Sequence, residues 1–151
     1  MTVHEVVLPC GFALGEDRVE RKIQLREMTG VIQRSLGVPE LQKKPNLLVR
    51  KVVESCIVKV GDIDLTPSLM DSMDVADREF LFFEIRRISL GSDLGYETVC
   101  TTESCKAKIA QKLNLDDFDV FALPDPGPDA GYEIIKLDKG LYPYRKVWKA
   151  T

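Results

Sequence analysis

The stretch Asp74–Gly91, DVADREFLFFEIRRISLG, sets the tightest limits on how this chain can fold. At about 100° per residue, Leu81, Ile85 and Ile88 form one helical stripe, and Ala76, Phe80 and Phe83 form a second. Phe82 points to a third side, between Arg78 and Arg86. A helix apolar over so much of its circumference must be covered on more than one side. Asp74 suits the N-cap, Asp77 falls at the third helical position near the exposed amides, and Gly91 follows Leu90 as a stop. Two readings follow: a central core helix whose arginines snorkel, or a helix that offers the Arg-flanked Phe82 to a partner.

The rest of the chain supplies strands and shorter helices. Residues Val3–Leu8 and Arg18–Arg26 read as a β-hairpin turning at Gly15-Glu16-Asp17, the second strand alternating Val19, Arg21, Ile23 and Leu25 against Glu20, Lys22, Gln24 and Arg26. Thr29 caps a short helix over Gly30–Leu36, ended by Gly37 and Pro39. A second helix is predicted from Pro45 to about Val60, with Leu48, Val49, Val52, Val53, Cys56 and Val60 on one face and Gly61 after it. Asp62–Leu65 forms a short strand or turn, and Pro67 opens a loop or single helical turn. Beyond Gly91, Tyr96–Cys100 reads as a strand with Ile109, Gln111, Leu113 and Leu115 alternating as its partner and Cys100–Cys105 at the turn; a weak helix over Lys106–Leu113 is the alternative.

After the acidic patch Asp116–Asp119 comes a Pro/Gly-rich linker, residues 124–131. Tyr132–Leu137 and Leu141–Lys149 then make a hairpin around Asp138-Lys139-Gly140, with Pro143 favouring an edge. The expected fold is α+β: terminal β-hairpins flanking a compact helical middle with Val52, Val53, Cys56, Leu81, Ile85 and Ile88 in its core. The expected division is an α+β domain over 1–123, the linker 124–131 and the C-terminal hairpin 132–151. Because the sequence ends at Thr151 inside a strand, that sheet is expected to be completed by another subunit or by residues beyond this sequence.

Composition and motifs narrow the function classes. A chain of 151 residues suits one domain, or a domain with a small appendage. A net charge of −3 and a pI near 5.3 argue against nucleic-acid binding, since acids balance the basic pairs Arg21-Lys22, Lys43-Lys44 and Arg50-Lys51. No apolar run approaches the ~18 residues of a membrane span, and MTVHEVVLPCGF lacks the pattern of a secretory signal. Four cysteines without such a signal point to reduced thiols in a cytoplasm.

Catalytic patterns are missing. The single His, His4, lies in a terminal strand without a matching nucleophile. There is no G-x-S-x-G elbow and no phosphate-cradling Gly loop, and Glu79 and Glu84 point to different sides of their helix. Asp116–Asp119 is a solvated turn in the simplest reading, with Ca²⁺ ligation the alternative. Cys100 and Cys105 are the candidate zinc ligands, but structural zinc wants four ligands. A full set would have to draw in Cys10 and Cys56, with no second Cys knuckle to supply them. The expectation is therefore no cofactor and no metal.

Three blocks carry a family likeness: LPCGF leading to KIQLREMTG, then DVADREFLFFEIRRISLG, then a strand with VCTTESC. Over residues 3–123 the chain resembles the baseplate protein family of contractile tails, the T-even-phage type, found in phages and related injection particles. Relatives often carry Pro after the first Cys of the pair, where Thr101 stands here, a departure that weakens a metal site further. The resemblance implies a non-enzymatic, structural role in the baseplate or central hub. It also implies a hetero-oligomeric assembly with other baseplate, hub or tail proteins, and localisation in the host or producer-cell cytoplasm during assembly and in the particle baseplate afterwards. It offers Asp77, Arg78, Arg86 and Arg87 for structural or inter-subunit contacts. To these the residues themselves add Phe82 and, in the C-terminal hairpin, Tyr132, Ile134, Tyr144 and Trp148 as interface candidates. The alternatives are an assembly chaperone absent from the mature particle and a small zinc-binding adaptor.

Overall fold

The computed structural model describes residues 2–15 and 18–125 and, for the backbone alone, 132–137 and 140–145. The chain opens with β1 (Val3–Ala13) and β2 (Val19–Arg26), followed by helices α1 (Gly30–Leu36), α2 (Pro39–Gln42) and α3 (Pro45–Cys56). Strand β3 (Ile57–Val60), α4 (Pro67–Ser72) and α5 (Val75–Leu90) complete the first part. Then come β4 (Asp93–Val99), β5 (Lys108–Asn114), a 3-10 turn at Leu115–Asp117, β6 (Tyr132–Leu137) and β7 (Gly140–Arg145). The fold is α+β, as expected.

The N-terminal hairpin is part of a larger sheet. Its order is β1-β2-β3 with β2 in the centre, and both pairings are antiparallel. The helix predicted to run to Val60 ends at Cys56, and Ile57 turns extended at ψ 126°. The reason is local as well as tertiary: Ile57, Val58 and Val60 are β-branched and favour a pleated strand. The free edge of β2 also pairs Ile23 with Val60 and Leu25 with Ile57. All four of these side chains enter the core.

Helices α3 and α5 cover this sheet. Leu8, Phe12, Ile23, Leu25, Ile57 and Val60 from the strands meet Val52, Val53 and Cys56 of α3 and Leu81 and Ile85 of α5, with Leu36 and Met70 closing the margins. Ile88, expected in the core, is only partly buried against it. The caps of α5 form as predicted: Asp74 Oδ1 accepts from Ala76 N at 2.8 Å, and Gly91 takes φ +89°. Thr29 caps α1 by accepting from Ile32 N, and Arg26 donates twice to Ser55 O near the end of α3, at 2.9 and 2.7 Å.

The segment at Pro67 is a six-residue helix capped by Thr66. Of Asp62–Leu65, only Ile63 makes a bridge, to Val60. Beyond α5 the strand reading holds over the helical one: β4 and β5 pair antiparallel from Asp93↔Asn114 to Val99↔Lys108. The C-terminal hairpin pairs Tyr132↔Arg145 through Leu137↔Gly140. The last six residues of the expected linker, 126–131, and the hairpin residues 138–139 and 146–149 lie outside the described residues.

Candidate interaction surface

One buried charge ties the first sequence block to the second. Between Val7↔Lys22 and Phe12↔Glu20 the register of β1 shifts, so that four residues of β1 face the single Arg21 of β2. Such a bulge releases main-chain groups from the ladder. The freed amides of Cys10 and Gly11 donate to Asp77 Oδ1 and Oδ2, at 2.8 and 2.7 Å. Asp77 is 1% exposed, so its place in the first turn of α5 serves this clamp and not a solvated helix terminus. Gly11 makes the approach feasible. It sits at φ +89°, and a Cβ there would lie 2.6 Å from Val19 Cγ1 and 2.9 Å from Glu20 O.

Burial pushes the Asp77 carboxyl above its ordinary range, while the two amide hydrogen bonds pull it partly back. The neighbouring Cys10 thiol is pushed up to about 12, first by burial and then by the charges of Asp77 and Asp74. Cys10 is a free, half-buried thiol. Cys56 is likewise raised by burial in the core.

The bulge also anchors a strap. Leu123 N donates to Pro9 O at 2.8 Å. Arg21 donates to Pro9 O at 3.0 Å and to Pro124 O at 3.1 Å, and its guanidinium lies 3.7 Å from Asp125. The segment 118–125 is thereby held alongside the sheet. Between this strap, α5 and the β4–β5 hairpin lies a groove of about 670 Å³. Phe80 and Phe83 form its floor from α5, Leu94 and Leu113 come from the hairpin, and Phe118 and Phe121 from the strap. Phe83 is 44% exposed and Phe121 is 86% exposed, and Val120 and Leu113 are exposed with them. The second stripe of α5 thus faces a groove that the described residues leave open. Contiguous exposed apolar surface of this kind marks a contact site.

The interface candidates separate into distinct groups. Asp77, offered for structural or inter-subunit contacts, is a structural one. Arg86 donates to Gly91 O and, at 2.8 Å, to Asp93 O, gripping the α5–β4 turn. Arg87 is bound to Glu84, with Nη2–Oε2 at 2.6 Å, an ion pair that raises its pKa. Arg78 lies 3.8 Å from Glu79. Phe82 is partly buried against the core and meets Phe83 edge-on, with centroids 6.0 Å apart and ring planes at 71°. It is therefore not fully enclosed, but the more open ring is Phe83. Tyr132, Ile134 and Tyr144 lie in the backbone of β6 and β7, and Trp148 is outside the described residues.

The surface that sequence reasoning missed is the strap. FDVFAL was divided between a solvated acidic turn and the end of a domain, although Phe118, Val120, Phe121 and Leu123 already form a dense apolar cluster in the sequence. Among the described residues no three His, Cys, Asp or Glu side chains gather as a metal site, and no helix is long and apolar enough to cross a membrane. His4 faces Glu27 at 3.7 Å.

A family model described as T4 bacteriophage base plate protein matches residues 4–133. The chain belongs to that family. Searches of curated proteins and of solved structures find no significant match. Membership gives this base plate protein a structural role in a phage baseplate and contacts with other baseplate or tail proteins, in a family that is generally non-enzymatic. The match includes both partners of the Asp77 clamp, the three-stranded sheet, α5 and the groove.

Proposed function

We propose that this base plate protein is a resident component of the baseplate or central hub of a contractile tail, acting through protein–protein contacts. The observation that carries this reading is the open apolar groove between α5, the β4–β5 hairpin and the strap, with Phe83 and Phe121 exposed in it. Large aromatics that remain in water after folding are the usual anchors of protein interfaces. The charged residues of α5, in contrast, are largely committed within the chain. The C-terminal hairpin supports the same reading. Its two strands pair only with each other among the described residues, and an open edge recruits another strand through main-chain hydrogen bonds.

On this reading the protein works without catalysis, cofactor or metal, and without binding nucleic acid or inserting into a membrane. The missing Cys knuckle and the net acidity support that view. Assembly takes place in the host or producer-cell cytoplasm, and the chain ends in the particle baseplate. Quantitative mass spectrometry of purified mature particles tests the proposal: the chain is expected at a fixed copy number per tail. Its absence from finished particles, together with its presence on unassembled tail proteins, would replace the resident role by that of an assembly chaperone.

A further inference from the structure

The tip of the β4–β5 hairpin holds two of the four thiols in one small loop. Cys100 follows the last ladder pair, Val99↔Lys108, and its N–H still donates to Ala107 O at 2.9 Å. Within the loop, Cys105 N and Lys106 N both donate to Thr102 O, at 3.0 and 3.3 Å. Lys106 at φ +44° then carries the chain back into β5. These bonds fold the intervening residues into one short turn that carries Cys100 at its start and Cys105 near its end. Cys105 is exposed and Cys100 is half-buried, so small molecules reach both.

The other two thiols are poor competitors. Cys56 is fully buried in the core. Cys10 is half-buried beside the Asp77 and Asp74 carboxylates, which with burial keep it protonated. Hydrogen bonds from Thr102 and Cys105 act on Cys100 in the opposite direction and lower its pKa. Since the thiolate is the attacking form, reactivity is concentrated at the hairpin tip.

We propose that Cys100 and Cys105 are a modification site, a dithiol that exchanges with a low-molecular-weight disulfide to form an intramolecular bond across the hairpin tip. The Cys100 thiolate attacks one sulfur of glutathione disulfide, forming a mixed disulfide and releasing one glutathione thiolate. The Cys105 thiolate then attacks the Cys100 sulfur, breaks the mixed disulfide and releases the second glutathione. The two cysteines lose two electrons to the glutathione pair, and their two protons leave with the two glutathione thiols. The shared turn makes the second step faster than a second glutathione addition, because the attacking sulfur is carried on the same short loop. A covalent staple here would fix the tip of a hairpin whose base, at Leu94 and Leu113, lines the groove.

The test uses the full chain, folded, treated with glutathione disulfide and trapped in acid. Intact mass should show the loss of two hydrogens without retained glutathione. Trypsin should release Ile88–Lys106 with both cysteines joined, while Cys10 and Cys56 stay reduced. Cys100→Ser should abolish the loss and leave glutathione on Cys105; Cys105→Ser should leave it on Cys100. Two glutathione adducts on the wild-type chain, a disulfide between chains, or oxidation of Cys10 or Cys56 at the same rate would each overturn the proposal. So would a wild-type chain that remains fully reduced while a model dithiol in the same tube is oxidised.

Discussion

In β2, Ile23 and Leu25 are fully enclosed by the sheet and helices around them, whereas no residue of the β4–β5 hairpin is buried. Both regions carry alternating apolar residues, and both are antiparallel. They differ in what lies against them. The first sheet has a third strand and two helices, α3 and α5, to cover it, so its apolar residues become core. Among the described residues the hairpin has one partner strand and the edge of α5, and two strands alone are marginal in water. Its apolar residues remain outside, next to those of the strap. One half of the molecule is thus complete in itself, and the other half, among the described residues, keeps its apolar side chains exposed.

Substitutions that open cavities on the complete side should have the largest effect. Leu81→Ala and Ile85→Ala remove fully buried side chains of α5 and are expected to lower stability by about 2–5 kcal/mol each. Chemical denaturation measures this. A loss below about half a kcal/mol at both sites would mean that α5 does not hold the sheet, and the contrast between the halves would collapse.

Asp77 comes next. Asp77→Asn keeps the shape but turns an amide NH₂ toward one of two buried N–H donors, with an expected cost of about 1–3 kcal/mol. The variant also isolates a pH effect. Burial raises the folded-state pKa of Asp77 above its ordinary 3.8, so the folded chain holds this proton more tightly than the unfolded chain. The stability associated with that proton is fully present below pH 3.8 and is lost as pH rises through the raised folded value. The stability difference between wild type and Asp77→Asn should therefore shrink as pH climbs through that window, against wild type. A difference that instead grows with pH there would show that the two amide bonds outweigh burial. Gly11→Ala probes the other side of the clamp. Its positive φ and blocked Cβ position predict a loss of about 1–3 kcal/mol, seen as a lower denaturation midpoint.

The complete half was also the more legible half, for physical reasons. Caps and stops are local chemistry, so Asp74, Gly91 and Thr29 identified their helices, and period-two alternation identified β2 and β5, with β1 and β4 read as their hairpin partners. The error at Ile57–Val60 arose because Val60 also satisfies a helical spacing from Val53 and Cys56. No Gly or Pro separates Cys56 from Ile57, so only the density of β-branched residues could have signalled the change. The role of Asp77 was not readable from its own segment, because its partners are amides in another strand, freed by a bulge that Pro9 and Gly11 hint at without specifying. The groove was hidden more deeply still. It is assembled from α5, a hairpin and a strap that reads as polar because Asp116, Asp117 and Asp119 dominate its start.

The smallest effect on stability should come with the largest effect on assembly, and that pairing tests the open half directly. Phe121 stands 86% exposed, so Phe121→Ser should change the stability of the isolated chain by no more than about 0.5 kcal/mol. If the groove is where this base plate protein meets another tail protein, the same change removes an aromatic anchor and should sharply reduce incorporation into tails, measured by complementation and particle yield. Phe83→Ser, on the groove floor, should act in the same direction with a somewhat larger stability cost, because part of its ring is already covered. Exposed Val31 on α1, which does not line the groove, provides the control: Val31→Ser should alter neither property. If Phe121→Ser destabilises the isolated chain as much as Leu81→Ala, the strap belongs to the core after all. If both groove variants assemble as well as the control, the open surface is not the contact, and the recruiting element must be sought in the edges of β6 and β7.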